Sequence, residues 1–294
     1  MELSILIPTY NDDCYDLVCE IQKQVSAIHA LVYEIVVGDD GSNLQSVIDN
    51  IEQISHMENC RVIRPEKNIG RAAIRNLLAR EASYEWILFI DADMRISCPD
   101  YINIYVEKAA HNHVVYGGYE VPKLNIKNNL RYKYERSVAT NHSAKIRQEN
   151  PYKDFHTSNF LIRRDILLDT PFDERIRRYG YEDVLFGKEL KSKNINILHI
   201  DNPVVFSTFE DNDDFLRKTD EGIATLSEFE SQLADYSRLI PVCNKLKRIH
   251  LQGITRIAFR ISEPILKRIL ISGQAPLTLF SFYKIGKYIT KKSK

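Results

Sequence analysis

The 294 residues contain no apolar run of about 18 residues, the length at which a helix spans a bilayer, so no membrane-spanning segment is expected. The amino terminus, Met1-Glu2-Leu3-Ser4, passes straight into a strand-like run with no basic stretch before it, so no signal peptide is expected either. Cysteine is scarce and scattered. Cys14, Cys19, Cys60, Cys98 and Cys243 form no Cys-x-x-Cys pair, and their odd number argues against a disulfide framework. A reducing, cytoplasmic setting is the expectation, with the cysteines acting as small apolar residues. No internal repeat and no low-complexity tract occurs. Net charge is absent as well, since 40 Lys and Arg balance 40 Asp and Glu. That balance hides an asymmetry: residues 241–294 hold 12 Lys and Arg against one acid, Glu263, for +11, and the rest of the chain carries the opposite excess. A basic tail of this kind is expected to meet something anionic. Apolar and charged contents of 44% and 27% are ordinary for a globular protein. The length suits one large α/β domain with an appendage, or two small domains.

What the chain does contain is organised around Trp86-Ile87-Leu88-Phe89-Ile90, which runs into Asp91-Ala92-Asp93. Five apolar residues, aromatic and β-branched, predict a strand buried on both faces. Carboxylates cannot stay in such a strand. Asp91 and Asp93 should emerge at its carboxyl end, where open α/β sheets bind ligands. At i, i+2 spacing both side chains leave one face of an extended chain. Two such carboxylates repel unless a cation lies between them, and a hard divalent ion bridging diphosphate oxygens would serve. A polar strand end that merely opens a loop is the plainer alternative, since Asp-x-Asp is a short motif.

The flanking chain reads as alternating strand and helix. Residues 4–11 form a strand, with Pro8 marking its end because it cannot donate to a ladder. Asp12 and Asp13 can cap a helix that runs to about Ile28. A second strand over 33–38 enters Asp39-Asp40-Gly41-Ser42, a turn that exposes carboxylates. A helix over 44–56 and a strand over 60–64 follow. Asn68-Ile69-Gly70-Arg71 then opens a helix through Arg80; Gly70 lets a ligand approach the backbone, and a helix N-terminus favours an anion. The alternation predicts a parallel, right-handed, doubly wound sheet. Beyond it come a helix over 99–112, a strand over 114–118, a polar stretch over 124–150 that is helical in part, and a strand over 156–162. A helix from Glu182 to Lys193 has two acids in its first turn, which suits its dipole. A last strand over 195–200 precedes one or two helices over 212–239. Trp86 is assigned to the core, and His29, His56 and His111 to the surface.

Five motifs stand in order over residues 1–210: Ile7-Pro8-Thr9-Tyr10-Asn11, Asp39-Asp40-Gly41-Ser42, Asn68-Ile69-Gly70 with Arg75-Asn76, Asp91-Ala92-Asp93, and Glu182-Asp183. Together they resemble the family 2 glycosyltransferases of GT-A fold. The resemblance implies a catalytic α/β domain over 1–210, with a nucleotide-sugar half over 1–115 and an acceptor half over 116–210. A helical, basic amphipathic region over 211–294 would follow. The implied reaction is an inverting, metal-assisted transfer of a hexosyl or N-acetylhexosaminyl group. The donor would be a nucleotide-diphosphate sugar, usually a UDP-sugar, with Mn2+ or Mg2+, and the acceptor a glycan or lipid-linked glycan. By position, Pro8, Thr9 and Tyr10 line the donor site, with Thr9 and Asp40 on the base. Asp39 supports that turn or the ribose. Asn68, Gly70 and Arg75 contact the nucleotide, Asp91 and Ala92 lie near the ribose, and Asp91 and Asp93 hold the metal. Asp183 would be the general base, with Glu182 beside it, and His156-Thr157-Ser158-Asn159 would fall near the donor sugar and acceptor. The chemistry agrees, because inversion needs a base for the acceptor hydroxyl while the diphosphate leaves from the opposite face. A cation and Arg75 would offset the charge that the leaving group gains. One position departs from the pattern. Where close members often carry a histidine, this chain has Phe206, which cannot ligate a metal. His199 lies upstream, and the third protein ligand is undefined or replaced by water.

In the tail, Ile254, Ile257, Ala258, Ile261, Ile265 and Ile269 recur at helical spacing with Arg256, Arg260, Lys267 and Arg268 between them. Pro264 is expected to kink or divide this helix. A second apolar and basic run over 277–289 follows, and the chain ends Lys291-Lys292-Ser293-Lys294. The pattern points to an anionic membrane surface, with the protein peripheral on the inner face of the cell membrane. A helical appendage packed on the catalytic domain, or on a second subunit in a homo-oligomer, is the alternative. No nucleic-acid partner is expected. Two other functions compete with sugar transfer. A nucleotidyltransferase making nucleotide sugars would want a glycine-rich, basic loop after the first strand, and residues 8–13 offer neither glycine nor cation. A non-catalytic nucleotide-sugar binding protein would tolerate Phe206, but Asp91, Asp93 and Asp183 together speak against it.

Overall fold

The computed structural model describes residues 1–139 and 143–292. Ser293 and Lys294 of the terminal basic run, and three residues of the polar stretch over 124–150, lie outside the described residues. The first half follows the predicted alternation: β1 (Glu2–Thr9), α1 (Tyr15–Val25), β2 (Val32–Asp39), α2 (Gln45–Ser55), β3 (Cys60–Ile63), α3 (Arg71–Glu81) and β4 (Trp86–Ile90). These four strands pair in parallel, so their carboxyl ends open on one edge of the sheet. Pro8 is tolerated in this central strand because the β1–β4 ladder stops at Leu6, before the missing N–H would be needed. Asp13 accepts the Tyr15 N–H at 3.0 Å and so starts α1. Trp86 is half-buried rather than core, as the first residue of β4. His29, His56 and His111 are exposed, and Cys14 and Cys243 are buried.

The second stretch contains β5 (Met94–Arg95), α4 (Tyr101–Ala109), β6 (Val114–Tyr116), β7 (Tyr119–Glu120), α5 (Leu130–Val138) and α6 (Ala144–Arg147). After these come β8 (Asn159–Arg163), α7 (Arg164–Asp169), α8 (Glu182–Ser192), β9 (Ile197–His199) and β10 (Val204–Phe206). The main sheet has seven strands in the order β3-β2-β1-β4-β8-β6-β9. It is mostly parallel, as expected for a doubly wound sheet, with β8 antiparallel to both β4 and β6. Past β4 the chain no longer makes single strand–helix crossovers, so the rule that made the first four strands parallel no longer applies. A second sheet, β5-β10-β7, was not foreseen. Its strands have two or three residues, too few for a period to show.

The C-terminal helices are α9 (Asn212–Glu228), α10 (Glu230–Leu233), α11 (Leu239–Arg248), α12 (Gln252–Ile271) and α13 (Leu277–Lys291). Pro264 does not divide α12, which runs through it as one helix. The chain forms two compact units, whose boundaries do not follow chain order. The first comprises Met1–Pro122, Asn141–Arg177 and Glu182–Thr208, and the second Lys123–Thr140, Arg178–Tyr181 and Phe209–Lys294. In the first, Phe89 stacks on Phe160 with centroids 5.1 Å apart and Phe172 on Phe186 at 4.3 Å, beneath the strand ends. The core of the second is built from Leu130, Phe215, Phe259, Leu270, Phe280 and Tyr283.

Candidate active site

The carboxyl ends of β1, β2 and β4 deliver most of the singled-out residues to one edge of the first unit. At the end of β2 two aspartates hold the loops. Asp39 is fully buried; its Oδ1 accepts the Ser42 N–H at 2.8 Å and its Oδ2 accepts from Arg64 Nε at 2.6 Å. Asp40 accepts the N–H of Ile69 at 2.7 Å and of Gly70 at 2.9 Å, while Asn68 Nδ2 donates to its carbonyl. Burial pushes the Asp40 pKa up, against the pull of those two N–H groups. Gly70 has φ +92°, a backbone state open to glycine at no steric cost. Asp40, expected on the base, and Asp39, expected to support the turn or the ribose, are both engaged in holding these loops. Pro8 and Thr9 are buried, and Thr9 Oγ1 donates to the Asp12 carbonyl; Tyr10 and Asn68 are the members of this set that face solvent. Asn11, at φ +60°, accepts the N–H groups of Asn43 and Leu44 and ties the two loops together.

At the end of β4, Asp91 lies between two guanidinium groups. Its Oδ1 accepts from Arg75 at 2.5 Å and its Oδ2 from Arg71 at 3.3 Å. Arg75 is 1% exposed and is an internal ion pair, not a solvated helix charge. Arg71 also reaches Glu182 Oε1 at 2.7 Å, so an unbroken chain of charges runs Arg75–Asp91–Arg71–Glu182. Both oxygens of Asp91 thus face cations in this structure. Ala92 is buried, and Asp93 is half-buried on the turn, its carbonyl held by Ser207 N–H and Oγ. Among the described residues no group of three or more His, Cys, Asp or Glu is placed to hold a metal ion. Phe206 pairs with Met94 in the small sheet and buries its ring against Tyr119 at 5.4 Å. His199 is no substitute. It is buried, with Nδ1 accepting from Arg147 Nε at 3.3 Å and Nε2 donating to the Pro151 carbonyl at 2.9 Å. Burial, reinforced by the Arg147 charge, brings its pKa down to about 4. The residues present therefore do not fit an all-protein metal cage. The looser shell of Mg2+ or Mn2+, in which one or two carboxylates act with substrate phosphates and water, needs no such cage.

The third component is the start of α8. Asp183 Oδ2 lies 2.9 Å from His156 Nδ1, and its Oδ1 accepts the Val184 N–H at 2.7 Å. Burial raises the Asp183 pKa, but the His156 hydrogen bond and charge, the Val184 N–H and Arg71 outweigh it and hold the carboxyl below its ordinary value. Asp183 is thus ionised at neutral pH. His156 is partly exposed, with Tyr119 edge-on to its ring at 5.6 Å. Thr157 and Ser158 are buried, and the Ser158 carbonyl accepts the Asp91 N–H. Asn159 is held from within the protein. It is fully buried, accepts from the hydroxyls of Tyr101 and Tyr105, and donates to the carbonyls of Gly118 at 2.7 Å and Asn202 at 2.9 Å. Nearby, Arg75 Nε, Ser158 Oγ and Glu182 Oε2 are buried without a hydrogen-bond partner. Such atoms are costly unless a ligand or water meets them. Sequence reasoning missed Arg71, although a signal existed: a cation at the first position of a helix opposes the dipole and needs a carboxylate to hold it there.

Residues 4–170 match the family model described as glycosyl transferase family 2. Chondroitin synthase of Escherichia coli is 24% identical over 226 residues, which cover 64% of this chain and 32% of that one. Poly(ribitol-phosphate) beta-N-acetylglucosaminyltransferase TarS of Staphylococcus aureus is 33% identical over 106 residues, covering 35% of this chain and 17% of its own. The chain thus spans a third or less of the length of these curated relatives. Among solved structures, S. aureus TarS 1–349 in complex with UDP-GlcNAc has a TM-score of 0.54 at 17% identity, over 100% of this chain and 91% of that one. The mannosyltransferase PcManGT from Pyrobaculum calidifontis, in complex with GDP-Man and Mn2+, has a TM-score of 0.58 at 15% identity, over 99% and 85%. At these identities the likeness is one of fold, and the fold is GT-A. The family model takes in the aspartates at the ends of both β2 and β4, and this chain belongs to glycosyl transferase family 2.

Proposed function

We propose that this protein transfers a sugar, with inversion, from a nucleotide-diphosphate donor, a UDP-sugar, to a hydroxyl of a glycan or lipid-linked acceptor. One observation carries the reading: the charge chain Arg75–Asp91–Arg71–Glu182 joins the end of β4 to the start of α8, beside the ionised Asp183. Donor-side and acceptor-side groups about ninety residues apart in sequence are thereby adjacent. Asp183 takes the proton of the acceptor hydroxyl as that oxygen bonds to the anomeric carbon; the bond from that carbon to the diphosphate breaks, and the nucleoside diphosphate leaves. His156 orients the Asp183 carboxylate. Arg71 and Arg75 offset the charge that builds on the leaving diphosphate. Asp93 would hold Mn2+ or Mg2+, which when bound supplies further positive charge to the diphosphate. The partnerless Arg75 Nε, Ser158 Oγ and Glu182 Oε2 support a polar ligand at this place. The UDP-GlcNAc and GDP-Man of the structural neighbours support a nucleotide-sugar donor.

The basic C-terminal region supports peripheral contact with an anionic membrane, on the inner face where nucleotide sugars are made. Among the described residues no helix is long and apolar enough to cross one. The test of the enzymatic reading is incubation with Mn2+ and a panel of UDP-sugars, following release of UDP. Slow hydrolysis of one donor is expected. Asp93→Ala should abolish metal-dependent donor binding in titration calorimetry while leaving the fold intact. Release from no donor, or undiminished binding by that variant, would overturn the assignment.

A further inference from the structure

Helix α12 has two apolar faces, and only one of them is used. Phe259, Leu266 and Leu270 are buried in the core of the second unit. On the opposite side Ile254, Ile257, Ile261 and Ile265 are 66%, 59%, 75% and 62% exposed, and Ile269 is 40% exposed. Five isoleucines aligned at steps of three and four residues form one continuous ridge in water. Contiguous apolar surface of this kind on a folded protein marks an interaction site. Ile249 and Leu251, at the turn between α11 and α12, are exposed too.

The charges say what covers the ridge. Arg260 and Arg268 on α12, and Lys245, Lys247 and Arg248 on α11, are exposed, and no ion pair among the described residues involves them. Lys287 and Lys292, by contrast, pair with Asp220, Glu263 and Glu230 inside the unit. Glu263, the one acid of α12, is therefore engaged and does not oppose the exposed cations. We infer that the isoleucine ridge of α12 is a membrane-inserting face, which lies in the plane of an anionic bilayer. The isoleucines enter the headgroup–acyl boundary, and the arginine and lysine stems reach up to lipid phosphates. A second copy of this chain is the weaker occupant, because its own ridge would bring more cations and no carboxylate to meet them. The inference rests on the membrane reading above and narrows it to one helix face.

The experiment uses the full chain and the triple variant Ile257→Ser/Ile261→Ser/Ile265→Ser, whose sites are too exposed for the change to disturb the core. Co-sedimentation is measured with vesicles of phosphatidylglycerol mixed with phosphatidylcholine, and with phosphatidylcholine alone. Circular dichroism and donor hydrolysis verify that the variant is folded. The parent chain should bind the mixed vesicles and prefer them to the neutral ones. The variant should lose affinity by on the order of 10-fold per isoleucine removed. Equal binding of parent and variant would overturn the ridge and leave charge attraction alone. No binding by the parent would overturn the membrane reading with it. Dimers of the parent in sedimentation velocity, lost in the variant, would assign the ridge to contact between copies and overturn the inference.

Discussion

At the scale of single residues, what separates Asp183, Asp91 and Asp39 is which partners their oxygens have. Asp39 is locked by Ser42 and Arg64, Asp91 by two arginines, and Asp183 by a histidine and a backbone N–H. Of the three carboxylates, that of Asp183 is the most exposed, at 21% against 14% for Asp91 and 0% for Asp39, which supports its proposed part as the base for an acceptor hydroxyl. Asp183→Asn should therefore lower transfer by about two to four orders of magnitude, the usual worth of a general base, with donor affinity nearly unchanged. Steady-state rates with Glu182→Gln in parallel check it; near-normal turnover in the asparagine variant would assign the proton to another group. His199 makes a different prediction. Its pKa in the folded chain, about 4, lies below the ordinary 6.5, so the unfolded chain binds the proton first as pH falls. Its contribution to stability is complete above about pH 6.5 and is lost progressively towards pH 4, by about 3 kcal/mol in all. Urea unfolding at a series of pH values should show this loss, and His199→Phe should flatten that part of the curve. An equally steep profile in the variant would mean that other groups carry the acid sensitivity.

At the scale of elements, packing sets which side chains are available. Helix α13 approaches α12 at Gly286, where an added Cβ would lie 2.1 Å from the Phe259 ring. Phe259 is fully buried and has nowhere to move. Gly286→Ala should therefore destabilise the C-terminal helices by about 2–3 kcal/mol, despite alanine's better helix propensity. Chemical unfolding would decide, since a neutral or stabilising effect would mean that the two helices separate at little cost. The small sheet shows the same control in the other direction. Pairing of β5 with β10 places Phe206 opposite Met94, next to Asp93, and its ring is then taken by Tyr119. The position where the resemblance led to the expectation of a histidine is thus filled by an aromatic contact.

At the scale of the whole molecule, the C-terminal residues are a structural part of their unit as well as a basic tail. Removing 241–294 strips Phe259, Leu270, Phe280 and Tyr283 from a core shared with Leu130, Phe215 and Leu216. The truncated chain should bind a hydrophobic dye and elute as aggregate, because the remaining helices would present that apolar surface to water. A monodisperse truncated protein would show that the second unit does not need them.

The sequence alone determined the first four strands, the helices between them and the edge at which their aspartates emerge. Runs of apolar residues ending in carboxylates admit one arrangement in a parallel sheet, and each such signal is local. The family followed from five motifs in order. The tertiary structure decided what locality cannot carry. Strands of two or three residues have no period, so β5, β7 and β10 were invisible. The hydrogen-bond partners of Asp91 and Asn159 lie on other elements, Arg71 and Arg75 for the one and Tyr101, Tyr105 and Asn202 for the other. On α12 the spacing of isoleucines suits a membrane face or a packed one, and the structure leaves them exposed while Phe259, Leu266 and Leu270 on the other side form the core. Periodicity shows that a helix has an apolar face, and only the packing around it shows whether protein covers that face or leaves it in water.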